Sequence, residues 1–530
     1  MIHFATLLER LLFAPRRNTK LAWISTWLTE CPPADRGWGV AAMAGDLDLG
    51  RVKHGVVRAL ARRVLDEELF AQSYDFVGDL AETTALIWPQ HHDDNLRPNS
   101  QAPSLEDVVL TLQGASPDEA EDHLAGWLDR LDVTGRWGLL KLVTGGLRVG
   151  VSARMLRLSL AEAFGKPVED IEEIWPLITP PYDDLFDWLE DRAMRPSAED
   201  RAVFRPLMLA HPMDDAMAAT VSPGDFLVEW KWDGARVQLA SAPDGVRLFS
   251  RSGDAIGPAF PELVEGIEWQ GVLDGELLAG TPDAVEPFQH LQQRLNRKKA
   301  GKTLIRSRPV FFRAYDILFD GKTDLRPLPI EARRDRLAEV IRMLDHPLYD
   351  TSAELRFSGP GELDDLRAQC REGGLIEGLM LKARGSAYQQ GRIKGVWYKW
   401  KRDPLTADVV LMYAQRGHGK RSSFYSDYTF GVWTGDGPEK QLVPVGKAYS
   451  GFTDAELKKL DQFVRTSTTN RFGPVREVAP TMVVEVAFDS IAPSSRHKSG
   501  LAMRFPRFAS IRWDKPAEQA DTLETLKALT

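Results

Sequence analysis

Cysteine is nearly missing from this sequence: Cys31 and Cys370 are the only two in 530 residues. They lie far apart and match no metal-ligand spacing, so neither a disulfide framework nor a cysteine-held metal is indicated, and a reducing cytoplasm is the expected setting. Long apolar runs are missing as well. No stretch is long enough to cross a bilayer, and the opening Met1-Ile-His-Phe-Ala-Thr-Leu-Leu8 is broken by Glu9-Arg10 too early for a secretory signal. Positive charge is in deficit: 67 Lys and Arg against 76 Asp and Glu leave a net charge of −9. Averaged over the chain, that weighs against a polyanionic partner, because phosphate backbones reward surplus positive charge. The deficit is uneven. Acidic runs such as Pro117-Asp-Glu-Ala-Glu-Asp122 carry part of it, while Arg51, Lys53, Arg58, Arg62 and Arg63 crowd one short stretch and Arg416, Lys420 and Arg421 another. A charge cluster taken alone is ordinarily a solvated face. What remains, 43% hydrophobic and 27% charged residues, has the proportions of ordinary globular domains, and the length suits roughly two to four of them.

From Met1 to about Asp200, apolar residues recur at three-and-four spacing in Phe4 to Leu12, Lys20 to Leu28, Val56 to Phe70 and Leu105 to Leu112, which predicts helices and no run of strands. In Trp137-Gly-Leu-Leu-Lys-Leu-Val-Thr-Gly-Gly-Leu-Arg-Val-Gly-Val-Ser152, one helix is predicted to end on Gly145-Gly146 and the next to start at Ser152, with Arg148 in a glycine-flanked turn between them. Backbone amides at such a corner, with Lys141 and Arg148 beside them, suit a phosphate. Around Arg192 to Arg201 the periodicity weakens and Pro196 enters, so a linker is placed there.

Short strands then mix with helices as far as about Arg402. The informative stretch is Val228-Glu-Trp-Lys-Trp-Asp-Gly-Ala-Arg236. Alternation along a strand puts Glu229 and Lys231 on one face, Val228 and Trp230 on the other, and Asp233-Gly234 reads as a tight hairpin turn. An amine at such a place is either an electrostatic clamp or a covalent nucleophile, and the second role requires partial burial or neighbouring cations such as Arg236. Downstream, Val246 to Gly253 is a strand running into Arg251. Gly271-Val-Leu-Asp-Gly-Glu-Leu-Leu-Ala279 aligns Asp274 and Glu276 on a face with Val272, where a carboxylate needs a ribose hydroxyl, a metal or an arginine as partner. Tyr315, in the strand Arg313 to Phe319, could offer its ring to a base. Glu377 and Lys382 end one apolar strand at a spacing that puts them on opposite faces unless a bulge intervenes. Trp397-Tyr-Lys-Trp-Lys401 sets Lys399 and Lys401 on one face, close enough to favour an anion between them.

Past Arg402-Asp403-Pro404, the strands Ala407 to Tyr413, Thr429 to Trp433 and Met482 to Phe488 and the helix Asp454 to Val464 fit a small five-stranded barrel. Its end, Met503-Arg-Phe-Pro-Arg-Phe508 and then Arg512-Trp-Asp-Lys515, is basic.

In this order the segments resemble the motif set of the ATP-dependent DNA ligases within the covalent nucleotidyltransferase superfamily, in particular the bacterial non-replicative repair type with a helical DNA-binding domain in front. Lys231 to Arg236 resembles the first motif, Asp274-Gly-Glu276 the third, Tyr315-Asp316 the aromatic one after it, Glu377 to Lys382 the fourth, Trp397 to Lys401 the fifth, Arg512 to Lys515 the last. Gly145 to Gly150 is similar to the corner of the family's helical domain, and Met503 to Phe508 to its Arg-Phe-Pro-Arg-Phe signature. One position departs: an arginine often precedes the first motif-five lysine by six residues, where this chain has Ile393, with Arg392 and Lys394 on either side.

The resemblance implies an all-α DNA-binding domain at residues 1–200, an α+β adenylation domain at 201–402 and a C-terminal OB-fold β-barrel at 403–530. It implies nick sealing in duplex DNA through lysyl-AMP on Lys231 and then DNA-adenylate. ATP would be held by Glu229, Lys231, Arg236, Arg251, Glu276, Tyr315, Lys382, Arg392, Lys399, Lys401, Arg512 and Lys515, Mg²⁺ or Mn²⁺ by Glu276 and Glu377, and DNA by Lys141, Arg148, Arg504 and Arg507. A cytoplasmic, nucleoid-associated monomer serving repair, recombination or replication is the expected form. RNA ligases and capping guanylyltransferases share the Lys-x-Asp-Gly core and stand as the alternative, behind them a nick-binding scaffold without catalysis; NAD-dependent ligases usually carry a cysteine-rich zinc module, which two cysteines cannot supply.

Overall fold

The computed structural model describes residues 1–89, 102–198, 200–295, 297–370, 374–416, 424–435, 440–473, 475–494 and 497–529; Lys420 and Arg421 of the second basic cluster lie outside them. By the density of contacts, the chain divides into Met1–Ala163 with Pro404–Thr530, and Phe164–Asp403.

Up to Phe164 the regular elements are helices, as the spacing predicts: α1 (Ile2–Phe13), α2 (Arg17–Glu30), α3 (Pro33–Ala44), α4 (His54–Val64), α5 (Glu67–Val77), α6 (Leu80–Ile87), α7 (Leu105–Gly114), α8 (Pro117–Arg130), α9 (Val133–Thr144) and α10 (Ala153–Phe164). Caps set the boundaries. The single helix expected from Val56 to Phe70 is two, because the Asp66 carboxylate accepts the Leu69 N–H and starts α5. Ser116 and Glu119 cap α8 reciprocally, so the acidic run 117–122 opens the helix, with Asp118 and Glu119 in the first turn, where carboxylates meet the positive end of the helix dipole. α9 ends on left-handed Gly145, Arg148 (φ 47) and Gly150 (φ 68) shape the turn, and Ser152 Oγ accepts the Met155 N–H at 3.2 Å to start α10.

The α3–α4 connection repeats this corner, with Gly45 (φ 87) and Gly50 (φ 63) in the same relation. Packing repeats as well: α1 lies on α9 as α7 lies on α3, α4 lies on α8, and Ser25 of α2 donates to the Ser159 carbonyl of α10. The helical region is thus a pair of similar halves that exchange partners. The halves also share Trp27-Leu28 with Trp127-Leu128, Arg36 with Arg136 and Leu47 with Leu147, each one hundred positions apart like the glycines, a repeat that the sequence contains and that its helical spacing alone does not reveal.

The second unit begins with α11 (Val168–Ile174) and α12 (Asp183–Leu189) and carries two larger sheets. One is four-stranded, from β2 (His211–Pro212), β3 (Phe226–Trp232), β11 (Ile376–Ala383) and β13 (Trp397–Lys401), in the order β2-β13-β11-β3. The other has the path β10-β8-β6-β4-β5, from β4 (Ala235–Ala242), β5 (Gly245–Ser250), β6 (Gly271–Thr281), β8 (Val310–Asp320) and β10 (Tyr349–Thr351), with β7 (Ala284–Glu286) on β6 and β9 (Thr323–Asp324) on β8. A short pair, β1 (Met208–Leu209) with β12 (Gly391–Arg392), lies beside them. Among the described residues, α13 (Asp215–Ala218), α14 (Phe288–Leu295), α15 (Lys302–Ser307), α16 (Ile330–Leu344) and α17 (Pro360–Gln369) complete the unit.

Val228, Leu379, Leu381 and Trp400 bury the outer face of the small sheet; Leu239, Leu273, Leu277 and Phe312 bury that of the large one. Between the sheets, Ala240 and Val272 meet Tyr388 and Trp397. The expected hairpin at Asp233-Gly234 is corrected here: β3 and β4 belong to different sheets, and the pair turns the chain from one to the other. A Cβ at Gly234 would lie 2.7 Å from the Leu277 carbonyl oxygen, so this corner admits glycine alone.

The last region is β14 (Leu405–Arg416), β15 (Tyr425–Thr434), β16 (Gln441–Ala448), α18 (Asp454–Ser467), β17 (Thr468–Phe472), β18 (Val475–Val478), β19 (Val483–Phe488), β20 (Ser490–Pro493), β21 (Leu501–Arg504), β22 (Arg507–Ile511) and α19 (Leu523–Lys527). The five strands expected are a seven-stranded sheet with a separate β20-β21 ribbon. Long β14 pairs with β15 on one side and with both β18 and β19 on the other, which curls the sheet around Val409, Leu411, Phe430 and Val484.

Candidate active site

The side chains of Val228 and Trp230 join the outer core, so Lys231 is turned inward towards the large sheet, as alternation predicts. Its Nζ lies 2.6 Å from Glu377 Oε2, and Lys401 Nζ lies 3.2 Å from the same oxygen. Glu377 reaches them through a register shift between Ile376 and Gly378. Gly378 has φ 150, and a Cβ there would sit 2.3 Å from the Trp400 carbonyl oxygen. That bulge resolves the odd spacing: Glu377 and Lys382 both face the site.

Burial works to raise the Glu377 carboxyl, but Lys231 and Lys401 beside it hold it far below the usual range, at about 2. Glu276 goes the other way. Burial pushes it up to about 8, with Lys231 and Arg236 only partly offsetting the effect and Glu377 adding to it. Lys399 is lowered by burial and then by Lys231, Arg392, Lys401 and Arg251 around it. Five cations thus converge on one patch. Arg392, on β12, supplies charge beside Ile393, and exposed Arg251 directly follows β5.

Glu229 is 2% exposed and held on both oxygens: Lys382 Nζ stands 2.7 Å from Oε2, and Arg334 donates to Oε1. The Lys382 amine also lies 4.5 Å from the centre of the Tyr315 ring. Tyr315 donates to Asp274 Oδ1 at 3.2 Å and Tyr388 to Oδ2 at 2.7 Å. The partner of fully buried Asp274 is Arg236, through Nε at 3.1 Å and Nη2 at 2.6 Å, with Nη1 on the Met208 carbonyl at 2.7 Å. Arginine is one of the partners the sequence allowed this carboxylate, and the protein supplies it from its own chain. Arg313, gripped by Asp350, stacks at 4.5 Å on Trp232 next to Lys231.

Residues 207–401 match the family model described as ATP dependent DNA ligase domain, and 421–515 that described as ATP dependent DNA ligase C terminal region. A probable DNA ligase of Koribacter versatilis is 36% identical over 413 residues, 73% of this chain and 70% of that protein. This chain belongs to the ATP-dependent DNA ligases. A probable DNA ligase of Opitutus terrae is 30% identical across 97% of the chain, which spans 61% of that longer protein. The solved structure Pmar-Lig_Pre superposes with a TM-score of 0.61 at 17% identity, covering 97% of this chain and 99% of that one, a likeness of fold: helical region, adenylation domain and OB-type half-barrel. Among the described residues of the ligase, no helix is long and apolar enough to cross a membrane.

The remaining residues expected to act divide by position. Lys141 is buried and ion-paired to Asp79, the α6 N-cap, at 2.6 Å, so the structure turns it inward, whereas Arg148 is exposed on the corner. Arg504 and Arg507 flank Phe505, which is 65% exposed at φ 53, and Arg507 pairs with Asp489 at 3.2 Å. Arg512 and Lys515 both reach Asp408 Oδ2, at 2.8 and 2.7 Å.

Sequence reasoning alone passes over Arg334, Tyr388 and Arg313. Arg333-Arg334 looks like a solvated helix face, and only tertiary packing aims the second guanidinium at Glu229. It also passes over Arg297, Lys298, Lys299, Lys302 and Arg306, all exposed and, among the described residues, without a carboxylate partner. Their local density is a signal the sequence does contain.

Proposed function

We propose that this ligase seals nicks in duplex DNA with Lys231 as the nucleophile. The Lys231 amine attacks the α-phosphorus of ATP, an N–P bond forms, and pyrophosphate leaves. A 5′-phosphate oxygen at the nick then takes the AMP from Lys231, and the 3′-hydroxyl displaces AMP to join the strand. The observation that carries this reading is the Lys231 amine set at 2.6 Å on Glu377, with Lys401 on the same oxygen and Arg251, Arg392 and Lys399 around them, an array suited to the charge that spreads over phosphate oxygens during transfer.

In this reading Glu377 orients the amine, Glu229 faces the adenine amino group, Tyr315 stacks on the base, and Lys382 moves towards the phosphates. Arg236 acts by fixing Asp274. Glu276 and Glu377 suit a divalent cation: both adjoin Lys231, and Glu276 holds its proton in a way that a neighbouring cation reverses. Mg²⁺ or Mn²⁺ held there would supply charge neutralisation at the phosphates. Arg512 and Lys515 would leave Asp408 for the pyrophosphate. Arg148, Arg504 and Arg507 and the basic stretch Arg297 to Arg306 supply the positive surface that a phosphate backbone requires and that a net charge of −9 conceals. The domains at 1–200, 201–402 and 403–530, a monomeric state, a cytoplasmic and nucleoid setting and a role in repair complete the reading.

The test is closure of a nicked duplex with ATP. Lys231→Ala is expected to abolish closure and the covalent label from α-labelled ATP while leaving DNA binding intact. Label retained in that variant, or closure of nicked RNA in preference to DNA, would refute the reading.

A further inference from the structure

We infer that Arg334 determines the base specificity of the nucleotide step by keeping Glu229 a fixed, acceptor-only carboxylate. The inference rests on the reading that Glu229 faces the base.

Arg334 lies in the first turns of α16, and that helix is pinned. Its neighbour Arg333 is fully buried against Asp316, Nε to Oδ1 at 2.8 Å and Nη2 to Oδ2 at 2.9 Å, and also donates to the Leu328 and Ser386 carbonyls. From this anchored start, Arg334 sends Nη2 to the Ser352 carbonyl at 2.7 Å and Nη1 to Glu229 Oε1. Ser352 is buried and in turn donates its N–H to the Ala314 carbonyl of β8 at 2.8 Å. The guanidinium is therefore braced from behind by backbone.

The other partner of Glu229 is differently placed. Lys382 Nζ sits over the Tyr315 ring, in the space a stacked base would enter, and its other contacts are the Trp397 ring at 4.7 Å and the Tyr315 carbonyl at 3.5 Å. A base entering there displaces the amine, which the Tyr315 carbonyl holds less closely than the Ser352 carbonyl holds Arg334, and leaves Arg334 as the cation that orients Glu229. A carboxylate gripped by a guanidinium turns its lone pairs outward and accepts hydrogen bonds without donating. Adenine offers a 6-amino donor to it. A 6-oxo purine presents an oxygen instead, two acceptors face each other, and a buried polar pair is left unsatisfied.

The experiment measures lysyl-nucleotide formation with ATP and with inosine triphosphate, alongside sealing of a pre-adenylated nick, in wild type, Arg334→Gln, Arg334→Lys and Glu229→Gln. Arg334→Gln is expected to raise KM for ATP and lower the ATP-over-inosine preference by about tenfold or more, with sealing of the pre-adenylated nick reduced less than lysyl-AMP formation. Arg334→Lys, which keeps the charge, recovers part of the preference and serves if the glutamine variant does not fold. An equal fall in both nucleotides and in sealing would show Arg334 to be purely structural and overturn the inference. If Glu229→Gln lowers the preference while neither Arg334 variant does, only the role of Arg334 fails. If Glu229→Gln leaves the preference intact, the assignment of Glu229 to the base fails first.

Discussion

Asp274 shows how much of the site depends on one buried charge. It has no exposed surface, and Arg236, Tyr315 and Tyr388 all converge on its two oxygens. Asp274→Ala would strand Arg236 beside uncompensated phenols, and breaking a buried pair in this way is destabilising by about 3–5 kcal/mol. Urea unfolding of the variant should show a loss of that size; a loss under about 1 kcal/mol would mean that solvent reaches the pair. Glu276 carries a pH signature. Its folded-state value of about 8 lies above the ordinary 4.5, so the folded state binds the proton more tightly. The contribution to stability is complete below the ordinary value and is lost as pH rises through about 8. Melting of chelator-treated protein should therefore weaken progressively from about pH 4.5 to about pH 8 and no further above it, and Glu276→Gln should flatten that part of the profile. An unchanged slope in that variant would place the titration elsewhere.

Strand parity decides what the elements present. β3 and β13 keep regular alternation, so Glu229 with Lys231 and Lys399 with Lys401 face the site as their spacing requires. β11 reaches the same end by breaking the rule: its bulge rotates Glu377 onto the face that Lys382 already occupies. In the proposed reading the loop and helix from Arg297 to Arg306 would act through charge alone, being five exposed cations within ten positions of an acidic chain. Replacing Lys298 and Lys299 with alanine removes cations that neutralise at most two phosphates. The slope of log affinity for nicked DNA against log salt should then fall by about 0.9 for each phosphate no longer neutralised, with lysyl-AMP formation unaffected. A slope identical to wild type would assign these lysines to solvent.

At the scale of the molecule, one site must serve pyrophosphate release and then DNA. The compact units meet in sequence between Asp403 and Pro404, directly after the motif-five lysines, and Arg367 ties Asp403 to its own unit at 2.5 Å while donating to the Lys401 carbonyl at 2.9 Å. Asp403→Ala should therefore alter lysyl-AMP formation and phosphodiester closure by different factors in single-turnover assays; equal factors would count against a hinge here.

Those faces and corners follow from the sequence by local geometry. The face of Lys231, the glycine corner around Arg148, the order of the six motifs and the family they belong to are properties of neighbouring residues, for which period and turn chemistry suffice. Lys141 turned onto Asp79, the Asp233-Gly234 pair joining two sheets, Arg334 braced behind Glu229 and the helical region built as two exchanging halves were decided by the tertiary structure. Each depends on which distant strand or helix packs opposite, and a side chain's partner across one hundred residues leaves no trace in the spacing of its own segment.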